Sequence, residues 1–335
     1  MSGPNNLLNG KVIPVSVAPM MAYTDRHFRY FLRLLSPSAL LYTEMITAQA
    51  LKHADPARWL AFSEQEHPVA LQLGGSEPAD LAHAATLGAK FGYDEINLNC
   101  GCPSDRVQSG RFGACLMAEP DRVAESVRAM REAVAVPVTV KCRIGIEPRA
   151  GGGDDYGFLT DFVGRIAAAG CSAFVVHARK AVLGGLSPKE NREIPPLQYG
   201  VVARLQEDYP DCTFVLNGGI RSVAEVRRHL DAFDGVMLGR EVCENPYILA
   251  ELHQAVVDPS WEPPTRESVI ESYAEYVEAR LAEGYPLRSM TRHVLGLYAG
   301  MPRSRSWRRF LSEQGGAGVT GPQILLDSLR IVRAA

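Results

Sequence analysis

The sequence predicts an α/β protein in which a (β/α)8 TIM barrel is followed by a small all-helical C-terminal domain. Three observations lead to this prediction: eight short apolar runs, helical patterns between them, and the loss of strand patterns after residue 265. Strands that alternate with helices over about 250 residues are typical of a parallel sheet, and eight such repeats can close into a barrel. We therefore expect two domains, spanning residues 1–260 and 261–335.

The eight predicted strands recur along the first three quarters of the chain. They cover residues 12–19, 39–45, 68–75, 94–101, 137–145, 172–179, 212–219 and 234–241. Segments between them, such as 77–92 and 120–136, carry apolar residues at i, i+3 and i+4, the spacing of a helix with one buried face. An open doubly wound sheet is the alternative architecture. No Gly-x-Gly-x-x-Gly turn follows the first strand, so the barrel is favoured.

The C-terminal region has a different pattern. A connector with three prolines, residues 258–265, ends the alternation, and only helical patterns follow. They lie roughly at 266–283, 288–299, 304–313 and 321–333, with a glycine-rich break at 312–322. This part of the chain is predicted to be wholly helical.

Composition excludes several classes of protein. Apolar residues make up 46% and charged residues 22% of the chain, as in ordinary globular proteins. No apolar run approaches the ~20 residues that span a bilayer, and the N-terminus lacks a secretory pattern. Seven cysteines, an odd number spread over 335 residues, predict free thiols. We expect a cytoplasmic protein with no membrane partner, and we favour a monomer.

Charge is unevenly distributed along the chain. The net charge is −3, yet residues 286–335 hold eight arginines against two acidic residues, a local balance of +6, so the remainder carries −9. A basic block of this kind is either a solvated helical face or the electrostatic footprint of a nucleic-acid site. The charge pattern alone leaves both interpretations open.

Polar residues that end the predicted strands are the candidate site residues, because the active site of a barrel lies at the C-terminal ends of its strands. In chain order they are Met20, Glu44, Gln72, Asn97, Asn99, Lys141, Arg143, His177, Arg179, Asn217 and Arg240. Any one of them could simply satisfy buried backbone groups. Their convergence from all eight strands points instead to a site.

The turns after the last two strands predict a phosphate-binding site. Their residues are Asn217, Gly218, Gly219, Gly239 and Arg240. Glycines let backbone amides approach an anion, and an arginine adds a charge-assisted hydrogen bond. Together with Lys141 and His177, these turns favour a cofactor with both a phosphate and a polar ring system. Flavin mononucleotide (FMN) fits better than a bare sugar phosphate, because Ala18, Pro19 and Met20 offer backbone and a soft side chain to a flat ring.

The stretch 95–117 contains three cysteines, Cys100, Cys102 and Cys115. Metal binding is disfavoured, since the first two are separated by one residue and no histidine lies in the stretch. A cysteine nucleophile needs a base; His177 could serve, but it is also needed at the cofactor. A third role is general acid, in which the Cys102 thiol delivers a proton as hydride arrives from the other side. The other two cysteines are interpreted as small apolar core residues.

Taken in order, the motifs of this chain resemble those of the tRNA-dihydrouridine synthases, and their combination resembles the A subfamily. The motifs are APM-x-x-x-TDR, YTEM, LQLGG, DEINLNCGCPS, GACLM, VTVKCRIG, HARKA, GLSPKENREIPPL, NGGI and GVMLGRE. The match runs from about residue 13 to residue 250. Beyond residue 265 the likeness is only that of a basic helical domain. Cys100 is a departure, because an aliphatic residue is expected at that position.

The resemblance implies an FMN enzyme that reduces the C5–C6 double bond of uridine in the tRNA D-loop, at positions 20 and 20a, with NADPH as reductant. It assigns the cofactor to Ala18, Pro19, Met20, Gln72, Lys141, His177, Asn217, Gly218, Gly219, Gly239 and Arg240. It assigns proton donation to Cys102. It assigns the uracil pocket to Asn97, Asn99 and Arg143, and tRNA contacts on the loop 179–196 to Arg179, Lys189 and Arg192. In the basic C-terminal region we expect Arg305 and Arg309 to contact tRNA.

Three other functions fit parts of the same pattern. A dihydroorotate dehydrogenase-like enzyme would share the barrel, the FMN and a loop acid, but would have no use for the basic helical region. A barrel aldolase would use Lys141 as a Schiff base and would be colourless. A binding-only protein would dock RNA without chemistry. The flavin-dependent reduction of tRNA accounts for most of the pattern.

Overall fold

A closed barrel of eight parallel strands forms the centre of the molecule. The computed structural model describes residues 13–148, 154–314 and 321–333. Each strand pairs with its neighbours in the chain and the eighth pairs with the first. The strands are β1 Val15–Val17, β2 Leu40–Tyr42, β3 Val69–Gly74, β4 Glu95–Cys100, β5 Val138–Arg143, β6 Ala173–His177, β7 Thr213–Asn217 and β8 Gly235–Leu238. Each lies within a predicted strand range, which confirms the (β/α)8 fold.

Helices surround the barrel and follow its strands. They are α1 Arg26–Leu35, α2 Ala48–His53, α3 Ala57–Leu60, α4 Pro78–Lys90, α5 Asp105–Ser109, α6 Pro120–Ala133, α7 Asp155–Ala168, α8 Tyr199–Asp208, α9 Val223–Leu230, α10 Arg240–Glu244 and α11 Ile248–Leu252. Short 3-10 segments occupy Glu64–Glu66, Gly113–Ala118 and Glu190–Arg192, and a π-helical turn occupies His253–Val257. Proline at the first position starts α4 and α6, where a missing N–H costs nothing.

The strand pattern differs from prediction around the second strand. β2 ends at Tyr42, and a separate two-residue strand, Ile46–Thr47, pairs with the end of β3. Between them the Thr43 hydroxyl, rather than a backbone carbonyl, accepts the hydrogen bond of the Gln72 N–H at 3.0 Å. A side chain that replaces a ladder carbonyl interrupts the strand without leaving the buried donor unpaired.

The inside of the barrel is divided between apolar and polar side chains. One group of inward residues is an apolar cluster; it consists of Ala18, Leu40, Tyr42, Ala70, Val175, Val215 and Met237. In addition, β3, β4 and β5 place Gln72, Asn97 and Thr139 inward, and all three are buried. A larger apolar core lies outside the barrel, between strands and helices. The mouth of the barrel therefore lies above an interior that contains both apolar and polar side chains.

Four described helices follow the barrel, as predicted. They are α12 Arg266–Ala282, α13 Leu287–Thr291, α14 Ser304–Gln314 and α15 Gln323–Arg333. The predicted helix 288–299 is shorter than expected, because α13 continues as a 3-10 turn over Arg292–Gly296. The glycine-rich break at 312–322 and both chain ends lie partly outside the described residues. The division into domains at residue 260 stays a prediction.

Aromatic packing joins the C-terminal helices to α1. Tyr276 stacks on Tyr30 with ring centroids 3.9 Å apart, and His293 stacks on Phe28 at 5.0 Å. Asp25 caps the start of α1 and also bonds Arg292 at 2.6 Å. The carboxylate that begins a barrel helix is thus also an ion-pair partner of the C-terminal region.

None of the described helices is long and apolar enough to cross a membrane.

Candidate active site

A chain of hydrogen bonds runs up the polar side of the barrel toward its mouth. Glu95 lies deepest, and its Oε1 accepts from Tyr42 and Thr139, both at 2.6 Å. Asn97 donates to Thr139 at 2.7 Å, and Gln72 donates to Asn97 at 2.8 Å. Burial raises the pKa of Glu95 to about 7, although the hydrogen bonds from the two hydroxyls lower it.

Asn99 carries this chain to the loop that holds Cys102. It donates to Gln72 Oε1 at 2.8 Å, while its Oδ1 accepts from the backbone N–H groups of Gly101 at 3.1 Å and Cys102 at 3.0 Å. The two predicted asparagines therefore lie at different depths. Asn99 contacts the cysteine loop, whereas Asn97 is fully buried below it with both ends of its amide engaged.

The Cys102 thiol lies on a tightly folded loop at the mouth. Cys102 is partly exposed, and its Sγ lies 3.6 Å from Ser104 Oγ. The Cys102 carbonyl accepts a hydrogen bond from Ala114 N at 2.9 Å. Gly113 has φ +76°, and a Cβ there would lie 2.6 Å from that carbonyl oxygen. Glycine is thus required for the turn that holds this loop.

Lys141 and Asn217, two of the predicted cofactor residues, meet at the mouth. Lys141 Nζ donates to Asn217 Oδ1 at 2.9 Å, and Asn217 Nδ2 donates to the carbonyl of Met237 at 2.8 Å. Burial and the nearby Arg143 lower the pKa of Lys141 to about 8. Its remaining ammonium hydrogens are available to a ligand.

His177 packs against the turn that follows β7. Gly218 has φ +120°, and a Cβ added there would lie 2.6 Å from the imidazole Cδ2 of His177. Tyr199 fixes the same turn by donating to the carbonyl of Gly218 at 2.8 Å. Burial, followed by the charges of Arg143 and other nearby cations, holds the pKa of His177 well below its usual value, so the ring is neutral at pH 7.

Cationic side chains surround the mouth. Arg143, Arg179 and Arg192 are close enough to His177 to lower its pKa, and Arg240 pairs with Glu193 at 2.6 Å. Arg143 is the most buried of these arginines and donates to the carbonyls of Gly101, Lys180 and Asn191. It therefore fastens the loops after β4 and β6 to each other. Arg179 donates to the carbonyls of Glu193 and Pro195, but its buried Nε has no partner among the described residues.

The first loop of the barrel forms another part of the mouth. Ala18 is buried and its N–H donates to the carbonyl of Leu238 at 2.8 Å, while Pro19 and Met20 are partly exposed. Met20 Sδ lies 3.8 Å from Cys243 Sγ. Tyr23 is 52% exposed. This loop therefore offers both a sulfur atom and an exposed aromatic ring.

Asn191 is a site residue that the sequence reasoning missed. It is fully buried, its Oδ1 accepts from the N–H of Val182 at 2.7 Å, and its Nδ2 donates to the carbonyls of Val182 and Leu186. It organises the loop that carries Lys189 and Arg192, whose side chains are exposed. The motif SPKEN, which contains this asparagine, is the sequence signal that could have indicated it.

The predicted basic surface lies on α14 and the turn before it. Trp307 and Leu311 are buried one helical turn apart, which directs the intervening arginines outward. Arg305, Arg308 and Arg309 are exposed and have no ion pair among the described residues. A concavity of about 440 Å³ lies beside them; it is lined by Gly300, Met301, Arg303, Ser304, Arg305 and Arg308. Cationic groups that are free of acidic partners are suited to contact phosphates.

Comparison with known proteins agrees with this geometry. The family model for dihydrouridine synthases matches residues 16–331, which is most of the chain. The chain belongs to the dihydrouridine synthase family. It is 51% identical over 331 residues to the tRNA-dihydrouridine(20/20a) synthase of Shewanella oneidensis, with 97% of each chain covered. It is 55% identical over 297 residues to the protein of that name from Pseudomonas putida, with 89% of this chain and 87% of the relative covered.

The family identity confirms the resemblance drawn from the motifs and classifies this chain as an enzyme. The relative from Vibrio cholerae with the same name is 54% identical over 316 residues, with 94% of this chain and 95% of the relative covered. Among the described residues, no group of three or more His, Cys, Asp or Glu side chains is arranged to hold a metal ion. The individual roles of the mouth residues remain predictions.

Proposed function

We propose that this enzyme uses FMN to reduce the C5–C6 double bond of uridine in the D-loop of tRNA, at positions 20 and 20a, and that NADPH reduces the flavin again. One observation carries the proposal most directly: a cysteine on a fixed loop faces the same barrel mouth as a glycine turn and a cluster of cations. The proposal is also supported by relatives named tRNA-dihydrouridine(20/20a) synthase that match this chain along nearly its whole length.

The residues of the mouth fit an anionic, flat cofactor. Gly218 and Gly219 adopt positive φ values of 120° and 74°, which lets the turn lie close to the His177 ring. A Cβ at Gly239 would meet nothing within 4 Å, so space is open beside Arg240. Backbone amides at these glycines, with Arg240 and the unpartnered Nε of Arg179, would hold the phosphate.

The ring of the cofactor would lie between the first loop and Lys141. Ala18 to Met20 would contact one face, and Gln72 and Lys141 would donate hydrogen bonds to polar atoms at its edge. Lys141 uses one of its three ammonium donors on Asn217, so two remain. When bound, FMN would supply the hydride that adds to C6 of the uracil.

Cys102 is the proton donor of this proposal. Its thiol would transfer a proton to C5 of the uracil from the face opposite the cofactor, and its sulfur would become a thiolate that solvent reprotonates. Charge that builds on the uracil carbonyl during the reaction would be stabilised by Lys141, which has free donors and lies at the mouth. Arg143 is less suited to that role, because its guanidinium already bonds three loop carbonyls.

The target uridine must leave the folded tRNA elbow to reach the mouth, which costs a few kcal/mol. Phosphate contacts would offset this cost. The exposed arginines of α14 and the exposed Lys189 and Arg192 on the loop after β6 are placed to make them. A related enzyme acting on a free pyrimidine would have no need of this arginine surface, and so the tRNA substrate is favoured.

The first prediction concerns the two half-reactions. Cys102→Ala is expected to bind FMN and to be reduced by NADPH like the wild type, because the thiol does not belong to the cofactor site. It is expected to lose most of its reoxidation by unmodified tRNA, since C5 then lacks its proton donor. Stopped-flow absorbance under anaerobic conditions measures both steps separately. Cys100→Ala is the matched control: Cys100 is fully buried away from the mouth, and this variant is expected to keep both steps. Wild-type reoxidation by Cys102→Ala would remove Cys102 from this role.

A further inference from the structure

The hydrogen-bond chain inside the barrel has a single direction. It begins at two backbone N–H groups, those of Gly101 and Cys102, which can only donate. Asn99 Oδ1 must therefore accept, and its Nδ2 must donate to Gln72 Oε1. The same reasoning makes Gln72 donate to Asn97 and Asn97 donate to Thr139. Each amide orientation is thus fixed by the amide before it, whatever was assigned to the individual nitrogen and oxygen atoms.

The chain ends at a group that accepts. The Thr139 hydroxyl accepts from Asn97 and so gives its own hydrogen to Glu95 Oε1 at 2.6 Å. The same oxygen also accepts from Tyr42 at 2.6 Å, which leaves it in an accepting role. The buried acceptor at the bottom of the barrel therefore completes the direction that the two backbone N–H groups set at the top, and both ends of the chain are anchored.

This arrangement is not required simply to fill the barrel. Other inward positions of the same barrel hold apolar residues such as Leu40, Val175 and Met237. Buried polar groups cost free energy unless they are hydrogen-bonded, whereas a connected network fixes one geometry. Glu95 Oε2 is buried and has no partner among the described residues, so the network is kept at a cost in free energy. Thr139 and Glu95 are both buried, at 2% and 0% exposure, and neither touches the mouth.

We propose that Glu95 and Thr139 are positioning residues for Cys102: they anchor a one-way relay of amides through Asn97, Gln72 and Asn99 that holds the cysteine loop over the mouth. The functional consequence rests on the proposed role of Cys102 as proton donor. The structural part, that the anchor sets the order of the loop, stands on the hydrogen bonds alone. The two parts can be tested in one set of variants.

Thr139→Val removes the hydroxyl that links Glu95 to Asn97 and keeps the shape of the side chain. Amide hydrogen exchange, resolved to single residues, would be measured on the whole chain without added FMN. The N–H groups of Gly101 and Cys102 are expected to exchange about tenfold faster, as for the loss of a hydrogen bond in a buried network. Thr139→Ser keeps the hydroxyl and is expected to exchange like the wild type. Thr139→Ala also removes the hydroxyl, and it replaces Thr139→Val in the experiment if the valine variant does not fold.

The amides of Val215 and Leu216 in β7 provide the internal reference, because β7 holds no member of the relay and is separated from β5 by β6. They are expected to keep wild-type exchange in Thr139→Val. Unchanged exchange at Gly101 and Cys102, or equally faster exchange at the β7 amides, would overturn the proposal, since the hydroxyl would then have no role or only a general one in stability. Glu95→Gln retains an accepting oxygen and is expected to keep wild-type exchange at the loop.

The same variants separate this inference from the proposed function. In anaerobic half-reactions, Thr139→Val is expected to slow reoxidation by tRNA about tenfold and to leave reduction by NADPH unchanged, with Thr139→Ser restoring the rate. If wild-type protein is not reoxidised by tRNA at all, the proposed function fails, and the exchange data still decide whether the relay orders the loop. If tRNA reoxidises wild type and Thr139→Val equally fast, the positioning role is wrong.

Discussion

Gly218 shows how much of the candidate site depends on a single missing side chain. Its φ of +120° and its contact with His177 leave no space for a Cβ, which would lie 2.6 Å from the imidazole. The turn can approach the proposed phosphate position only because no side chain intervenes. Lys141 and Asn217 add their hydrogen bond near this turn. The proposed cofactor site therefore depends on backbone conformation as much as on charged groups.

Gly218→Ala is expected to lower the free energy of unfolding by about 1–3 kcal/mol, because it adds both a steric clash and a strained φ. It is also expected to weaken FMN binding about tenfold or more, since each 1.4 kcal/mol corresponds to a factor of ten in affinity. Urea denaturation and fluorescence titration with FMN measure the two effects. The control is Gly200→Ala, where a Cβ meets nothing within 4 Å in the first turn of α8. That change is expected to be neutral or stabilising by up to about 1 kcal/mol.

Most candidate residues of the mouth could be predicted from the sequence, because a barrel brings the ends of its strands together whatever the details of packing. Lys141 with Asn217, and His177 with Gly218, are such pairs. Thr139 and Glu95 could not be found in this way. They lie at the N-terminal ends of their strands, away from the mouth, and only the register of β4 against β5 brings them within hydrogen-bond distance.

The loops after β4, β5 and β6 form one wall of the mouth. Ile146–Glu147 and Ala181–Val182 form a small two-stranded parallel sheet. Arg143 donates hydrogen bonds to carbonyls in the loops after β4 and β6. Asn191 then closes the longer loop on itself through three side-chain hydrogen bonds. These contacts replace the regular hydrogen bonding that a loop lacks. The sequence predicted where the loop lies, but its internal order depends on contacts that have no periodic pattern.

Asn191→Ala is expected to loosen this loop. It removes a buried group that bonds Val182 and Leu186, so the free energy of unfolding is expected to fall by about 1–3 kcal/mol. Local opening should also speed tryptic cleavage after Lys189 and Arg192. Limited proteolysis followed by mass spectrometry identifies the cut sites. Ile194→Ala, at a position of the same loop that is 60% exposed, is the control and is expected to stay within about 0.5 kcal/mol of the wild type. Equal cleavage rates in the two variants would contradict the role given to Asn191.

The eight strands were predicted to within one to three residues at each end, because buried parallel strands leave continuous apolar runs in the sequence. The interruption after Tyr42 was not predicted, because it depends on the Thr43 hydroxyl meeting the Gln72 N–H on another strand. Likewise, the 3-10 turn at Arg292–Gly296 follows from packing against α1 and α10 rather than from local propensity. Long-range contacts decide such details.

Net charge differs between the two parts of the molecule: residues 286–335 are basic, whereas the rest of the chain carries −9. The local balance of +6 over residues 286–335 is presented on α14 and its neighbours, where the arginines are exposed. Asp25, at the start of α1, pairs with Arg292 and His293 and so links this region to the barrel loop that carries Met20. This separation fits the proposed function, in which the basic region binds tRNA and the barrel mouth receives the target uridine.

Arg305→Glu and Arg309→Glu are each expected to weaken the binding of unmodified tRNA at low salt. Each is also expected to reduce the dependence of log K on log salt by about one. Fluorescence anisotropy with labelled tRNA at several salt concentrations measures both quantities. Arg128→Glu changes an exposed arginine on α6 of the barrel and is the matched control, with unchanged affinity expected. A binding constant that does not vary with salt would exclude a phosphate contact for this surface.

The proposed reaction is tested most directly by the visible absorption spectrum of the NADPH-reduced protein, mixed anaerobically with tRNA that lacks modifications. The bands of oxidised flavin are expected to return with tRNA and not to return with free uridine. Flavin that is reoxidised by a free pyrimidine but not by tRNA would contradict the proposed substrate. A protein that remains colourless after incubation with FMN would contradict the proposed cofactor.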